Sequence, residues 1–251
     1  MKIKPVLFGS IVLINLCGVL PLQAEPVTIG AGVAVAVKPY KGDRTEVLPF
    51  PYIHYDSERF FIKGSGIGLH LVNSGSHQLD IKLDYLELNF DASDSSDEAM
   101  QKLDDRRSTV LGGIGYTYRI HDLAFFGSVS VDLLDQSNTV MINAGASYTF
   151  RPASHLTVIP SVGVIWANKK HNDYYYGVSQ KESIRSRLRA YDAKDTLSPY
   201  IAVSTHYQLT STWSIMAHAH YQYLPDRIKD SPMVSNCSTG SIMLGVGYRF
   251  K

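Results

Sequence analysis

Cysteine, net charge and long apolar runs are all scarce in this sequence. The formal net charge is only +1, whereas nucleic-acid binding calls for a strong basic excess. Beyond residue 24, no apolar run approaches the roughly 18 residues of a membrane-spanning helix. The chain has two cysteines, Cys17 and Cys237, too few for the disulfide framework of a small secreted domain. These features exclude nucleic acid as a partner and a helical membrane fold.

The N-terminus has the pattern of an export signal. Two lysines among the first four residues precede an uncharged apolar stretch, residues 6–20, and Ala24 comes before the first acidic residue. That stretch is shorter than the roughly 20 residues with which a helix crosses a bilayer. We therefore expect residues 1–24 to be a Sec signal peptide and residues 25–251 to form one domain. Cleavage leaves one cysteine, which excludes an internal disulfide.

The rest of the chain alternates between apolar and polar residues. In residues 79–85, the clearest case, Leu, Ile, Leu and Tyr alternate with Asp80, Lys82 and Asp84. The same period of two recurs upstream and downstream, as in residues 213–223. Strand residues two apart lie on the same face of a sheet. Each segment therefore presents one apolar face and one polar or small face.

A soluble β-sandwich would also alternate, but three features favour a membrane barrel. Charged residues lie in the middle of segments, opposite the apolar face, as in a wet lumen. Tyr and Trp lie near segment ends, as in interfacial girdles. The segments run to about 9–13 residues, whereas soluble strands average about 5–6. We predict an all-β fold, an antiparallel transmembrane β-barrel in the cell outer membrane.

The strand number depends on the loops. We count 11 segments, but bacterial single-chain barrels have an even number of strands. Long extracellular loops alternate with short periplasmic turns, and this alternation is consistent from the C-terminus back to residue 90. The miscount therefore lies within residues 25–90, where a Gly-Ser-Gly triplet at 64–66 is a candidate turn. We predict about 12 strands, with 10 as the alternative.

Four segments carry recognisable motifs. The sequence reads P-Y-K-G-D at 39–43 with Leu-Pro at 48–49, Y-Y-G-V-S at 175–179, D-S-P-M-V at 230–234 and G-Y-R-F at 247–250. In this order they resemble the motifs of the MipA/OmpV family, the MltA-interacting protein family, which often has Ser at position 43. The motif residues in loops are Tyr40, Gly42, Asp43, Tyr175, Tyr176, Gly177, Val178, Ser179, Asp230, Ser231 and Pro232.

The resemblance implies an outer-membrane barrel without catalytic residues or cofactors. Some relatives are regarded as scaffolds that join a murein hydrolase to a bifunctional penicillin-binding protein, and others are linked to osmotic adaptation or adhesion. We therefore expect a non-enzymatic scaffold of the peptidoglycan machinery, whose partners include outer-membrane lipids, lipopolysaccharide, a murein hydrolase and a penicillin-binding protein. The alternatives are a narrow channel for small solutes, or osmoadaptation porin, and a lipid- or lipopolysaccharide-modifying enzyme.

One polar cluster is predicted inside the barrel. Ser204 and His206 precede the turn at 209–212, and His218 and His220 follow it on the polar face of the next segment. Antiparallel pairing across this turn places Ser204 opposite His218. A Ser–His pair is the start of a hydrolase site, and several histidines suggest a metal or a pH sensor. Small barrels also fill their lumens with polar side chains, which is the interpretation we favour.

The long loop that carries the second motif is rich in arginine. Arg185, Arg187 and Arg189 alternate along it. Because the planar guanidinium binds phosphate through two hydrogen bonds, these residues are candidates for contact with lipopolysaccharide. The alternative is a solvated loop. The adjoining Tyr174-Tyr175-Tyr176 run is predicted to anchor this loop at the barrel mouth.

Overall fold

A computed structural model describes residues 27–43 and 45–250. The predicted signal peptide, residues 1–24, lies outside these residues. Within them, no helix has the length and apolar character that crossing a membrane requires. The described chain instead forms strands that pair into one antiparallel sheet.

The sheet closes on itself as a 12-stranded barrel. Each strand pairs antiparallel with its neighbours in the chain, and the first strand pairs with the last from Thr28↔Arg249 to Val37↔Gly240. Two short segments, β8 and β9, both pair with β10 and together form one strand of the wall, which confirms the predicted 12. The strand segments are β1 Thr28–Val37, β2 Glu46–Asp56, β3 Phe60–Lys63, β4 Gly66–Asn73, β5 His77–Leu86, β6 Thr109–Ile120, β7 Leu123–Asp132, β8 Val140–Tyr148, β9 Phe150–Ala153, β10 Leu156–Ala167, β11 Thr196–Gln208, β12 Trp213–Tyr223 and β13 Ser238–Arg249.

The strand that our count of 11 segments missed lies within residues 25–90, as the alternation of long and short loops predicts. The segment from 60 to 72, which we counted as one strand, is split into β3 and β4 by a turn at Gly64 and Ser65. Gly64 has a φ of 61°, a conformation that costs glycine little because it has no Cβ. The two strands then pair with each other as a hairpin, so the 11 segments become 12 strands.

The two faces of the wall differ as the alternation predicts. On β5, Ile81 and Leu83 point outward and are exposed, whereas Lys82 between them is 6% exposed. Rings cluster at the end where the chain enters and leaves the barrel: Trp213 packs edge-on against Tyr248, and Tyr248 against Phe250. An apolar outer wall with an aromatic girdle is the surface that lipid stabilises.

The two ends of the barrel carry different connections. One end has only short turns, such as residues 121–122 and 209–212. The other has the long loops and all the described helical elements. Because extracellular loops are long and periplasmic turns short, the helical end faces outward. The helical elements are 3₁₀ turns at Ala92–Asp94 and Met100–Lys102 and the α-helices α1 Lys169–Tyr176, α2 Gln180–Ser186 and α3 Asp226–Lys229.

Candidate functional site in the lumen and the outer loops

The predicted lumen cluster forms on β11 and β12. Ser204 and His218 are register partners, and the Ser204 Oγ lies 3.0 Å from the His218 Nδ1. His206 lies two residues further along β11 on the same face, and the His220 ring lies 5.4 Å from that of Tyr200. In the described residues, the His218 ring makes no hydrogen bond to a carboxylate, so the pair lacks the third member of a hydrolytic triad.

The charged side chains of the lumen pair with one another on the opposite side of the barrel. The His70 ring lies between two carboxylates, with Nδ1 2.6 Å from Asp80 and Nε2 2.9 Å from Asp56. Lys82 pairs with Asp84 at 2.8 Å. Because an unpaired charge is costly away from bulk water, this network stabilises the polar interior. Across the described part of the chain, no three His, Cys, Asp or Glu side chains are grouped to hold a metal ion.

The outer loops fold over the barrel mouth and bury a hydrophobic cluster. We call this cluster the outer cap. Its members come from the loop after β1, the loop after β5, the helical loop after β10 and the loop after β12. The buried loop residues that form the cap are Tyr40, Leu88, Phe90, Ala92, Met100, Leu103, Tyr175, Tyr176, Val178, Leu224, Ile228, Met233 and Val234.

The first family motif holds the β1–β2 loop into the outer cap. The Tyr40 ring lies 5.0 Å from Phe90 and 5.9 Å from Tyr176, and its burial raises the pKa of the phenol well above its usual value. Gly42 has a φ of 68°, and its carbonyl accepts a 3.0 Å hydrogen bond from the Ser96 amide. Asp43 pairs with the Lys38 side chain at 3.6 Å.

The second and third motifs dock onto each other. The Ser231 hydroxyl donates to the Tyr176 carbonyl at 2.6 Å, and Pro232 follows it in the same turn. Asp230 closes α3 through its backbone amide. Tyr175 and Tyr176 are buried in the outer cap, and burial raises the pKa of both phenols.

A buried ion pair joins two loops beneath the second motif. Gly177 and Val178 lead into Ser179, which forms a capping box with Glu182 at the start of α2. Glu182 also pairs with Arg106 at 2.8 Å, and the two side chains are only 4% and 8% exposed. Burial raises the pKa of Glu182, but bonds from the Ser179 amide and Arg106 outweigh it and lower the pKa to about 2.

This ion pair was not predicted, although the Ser-x-x-Glu spacing of a capping box marks the start of α2 in the sequence. The sequence has no signal for Arg106, which lies 76 residues from Glu182 in the chain.

The three loop arginines have different environments. Arg185 pairs with Asp104 at 2.6 Å. Arg187 is exposed and ends α2 in the left-handed conformation, with a φ of 64°. Arg189 donates to the Asp230 carbonyl at 2.9 Å and lies over the Tyr191 ring. Arg185 and Arg189 thus hold loops together, whereas Arg187 projects from the surface.

The lumen contains separate small cavities. One of about 60 Å³ lies under the outer cap, with His171, Tyr176 and His220 in its wall. Another of about 120 Å³ lies nearer the periplasmic end and includes Ser204, His206 and His218. Polar side chains and the outer cap therefore fill much of the barrel.

Comparisons with known proteins agree with the fold and the loop motifs. The MltA-interacting protein of Escherichia coli (strain K12) is 40% identical over 223 residues, which cover 89% of this chain and 90% of that protein. The putative outer membrane protein YiaT of the same strain is 32% identical over 227 residues, 90% of this chain and 92% of that protein.

A solved structure described as a bacterial polysaccharide outer membrane secretin has the same type of fold. It superposes with a TM-score of 0.50 at 8% identity and covers 91% of this chain and all of that one. The family model described as "MltA-interacting protein MipA" matches residues 29–250. The chain therefore belongs to the MipA family of outer-membrane β-barrel proteins.

Proposed function

We propose that this barrel is a non-enzymatic scaffold that holds a murein hydrolase at the outer membrane. The observation that carries the proposal is the filled barrel, whose outer cap buries side chains from four loops and whose lumen charges on β2, β4 and β5 are paired. Such a barrel is suited to anchoring rather than to transport. The name of its relative in Escherichia coli, MltA-interacting protein, supplies the class of partner.

The periplasmic rim is the surface that such a partner meets, because murein and the enzymes that act on it lie on that side. This rim consists of short, polar turns between strands. Glu58 and Arg59 are exposed in the turn between β2 and β3. Arg151 and Asp122 form a half-exposed ion pair elsewhere on this rim. Rim charges of this kind steer a partner and set its orientation more than they add affinity.

The proposal extends to two further partners. A penicillin-binding protein would share the periplasmic rim with the hydrolase, as a scaffold requires. Lipopolysaccharide would meet the opposite end, where Arg187 is exposed beside Arg185 and Arg189. Their guanidinium groups suit phosphate.

Photocrosslinking in cells tests the site of hydrolase binding. We would place a photoreactive amino acid at Ser76 or Ser211, exposed in two periplasmic turns, and at Lys181, exposed on the outer loop, as the matched control. We expect the two periplasmic positions to capture the hydrolase and Lys181 not to. Capture from no periplasmic turn, with the variants folded in the membrane, would refute the scaffold.

A further inference from the structure

The wall of the barrel is interrupted beside β2. β3 has only four residues, and it pairs with β2 only from His54 to Asp56. Residues 47–53 of β2 pair with β1 on one side and, among the residues described, with no strand on the other. We call this gap in the wall the window.

The window has a lower edge, toward the periplasm, and an upper edge, toward the outer loops. Its lower edge is the β3–β4 turn, where the Tyr85 amide of β5 donates to the Ser65 carbonyl at 3.3 Å. Its upper edge is the contact between the loops after β1 and β5, where the Ser96 amide donates to Gly42. The window is therefore a bounded opening in the wall.

Two prolines make the unpaired edge of β2 tolerable. Pro49 and Pro51 lie in the part of β2 that faces the window, and proline has no N–H to leave unbonded. Unbonded backbone donors are costly in hydrocarbon. The same prolines oppose the addition of a further strand, so the window does not suit docking of a peptide strand or of a second copy of the chain.

The cavity of about 120 Å³ borders the window. Phe50, Tyr52 and His54, from the unpaired stretch of β2 and its end, line it together with Lys63 and Gly64 of the lower edge. The lining of this cavity therefore includes residues from two sides of the window.

The lining combines apolar side chains with positive charge. Apolar contacts come from β10, β12 and β13 through Ile159, Met216 and Met243. Lys63 and Arg249 carry the charge, and none of the described residues that line the cavity is Asp or Glu. The cavity is therefore suited to an anion that is attached to an apolar chain.

We propose that this cavity binds the carboxylate of a single-chain amphiphile, a fatty acid, whose chain leaves through the window into the membrane. Arg249 and Lys63 would hold the carboxylate, although Lys63 also pairs with Asp56 at 2.7 Å, so Arg249 is the main anchor. The volume is a little below the roughly 150 Å³ of a cavity that holds benzene. The head and a few methylene groups fit, and the two chains of a phospholipid do not.

Photolabelling of the purified full chain tests this proposal. The barrel is placed in nanodiscs of uncharged lipid with dodecanoate that carries a diazirine on a carbon near its carboxylate. We expect labels at residues lining the window and the cavity, displaced by unlabelled dodecanoate. Acetate, which lacks the chain, and dodecyltrimethylammonium, which reverses the charge, should not displace them.

Two variants separate the contribution of the Arg249 charge to binding from that of the cavity volume. Arg249→Gln should weaken labelling at least about tenfold, because a hydrogen bond to a charged group is worth about 1.5–3 kcal/mol. Met216→Trp should abolish labelling, because the larger side chain fills the cavity while both positive charges remain. Arg107→Gln, an exposed change in the loop before β6, is the matched control and should label like the natural chain.

Two outcomes would overturn the proposal. One is labelling spread evenly around the lipid-facing wall. The other is labelling unchanged by Arg249→Gln in barrels that migrate as folded on gels. The test contains no hydrolase, so its failure leaves the scaffold proposal standing, and failure of the scaffold leaves this site standing.

Discussion

The stability of the outer cap depends on a few buried polar side chains. Arg106 donates to Glu182 and also to the carbonyls of Asp104 and Gly177, so one guanidinium joins two loops. His171, in α1, lies 2.8 Å from the Thr139 hydroxyl and is only 4% exposed. Removal of one partner from such a pair leaves the other buried without its bond.

Glu182→Gln should loosen the outer cap. The change leaves Arg106 buried without a countercharge, which costs about 3 kcal/mol, the lower end of the range for a broken buried ion pair. Trypsin cleavage after Arg185 or Arg187 in folded barrels should then be on the order of a hundredfold faster, because proteolysis follows the population of the open form. Glu98→Gln, an exposed change in a neighbouring outer loop, should leave the rate unaltered.

Acid should open the cap through His171. Burial lowers the pKa of His171 from 6.5 to about 4, against the opposing influence of Asp132. The folded cap therefore binds this proton less well than the open form does. The cap is most stable above pH 6.5 and loses on the order of 3 kcal/mol as the pH falls from 6.5 to 4.

Hydrogen exchange of α1, corrected for its intrinsic pH dependence, measures this effect. Protection should fall across that pH range in the natural chain and much less in His171→Gln. His155→Gln, an exposed change in a periplasmic turn, should keep the full acid response. An equal response in all three proteins would contradict the assignment to His171.

Four aromatic rings on the inner face of the wall lie over glycines on the neighbouring strand. In each case the ring and the glycine are register partners, so the ring covers backbone that would otherwise lack a side-chain contact, an arrangement known to stabilise sheets. The four pairs are Phe50 over Gly32, Phe61 over Gly68, Phe126 over Gly145 and Tyr200 over Gly163.

Gly145→Ala should destabilise the barrel. An added Cβ would lie 2.6 Å from the Phe126 Cζ and 2.5 Å from the Val162 carbonyl oxygen, so the ring must move and the strands must shift. Overpacking of this kind costs about 1–3 kcal/mol. Urea unfolding of the barrel in lipid vesicles should show a lower midpoint, whereas Gly75→Ala, where nothing lies within 4 Å, should not change it.

The strands were largely predictable from the sequence, because a period of two is a local property of the chain. On β5, the alternation around Lys82 assigned the faces correctly. β3 and β4 were counted as one segment because a turn of Gly64 and Ser65 hardly interrupts the alternation, although the Gly-Ser-Gly triplet was a candidate turn. The sequence did not predict that β3 is only four residues long and so leaves the window beside β2. The length of β3 depends on pairing between strands and not on a local pattern.

The candidate site was predictable only in part. Register across a four-residue turn is local, so the pairing of Ser204 with His218 followed from the sequence. The outer cap did not, because Arg106 and Glu182 come from different loops and meet only when the barrel has closed. The motif tyrosines indicated that the loops matter without indicating that they pack on one another.

At the scale of the whole molecule, the barrel is a filled cylinder with different ends. The helical end carries the outer cap, and the periplasmic end offers short turns and the aromatic girdle. Outer-membrane barrels with few strands have narrow lumens that side chains can fill. Here the cavities of about 60 and 120 Å³ are much smaller than a continuous channel across the membrane would be.

The folded barrel should therefore conduct no measurable ion current in a planar bilayer. Polar lumen side chains and the outer cap fill the route that ions would take. Insertion is verified independently by protease protection of the strands in vesicles of the same lipid. Steady unitary current steps from verified barrels would favour the narrow channel instead.

Direct titration of a purified murein hydrolase onto the barrel in nanodiscs, followed by surface plasmon resonance, tests the scaffold most directly. We expect saturable binding that weakens when the periplasmic charges Glu58 and Arg59 are changed to Gln, and that is unaffected by Lys181→Gln on the outer loop. Absence of saturable binding to a barrel that is shown to be folded would contradict the scaffold proposal.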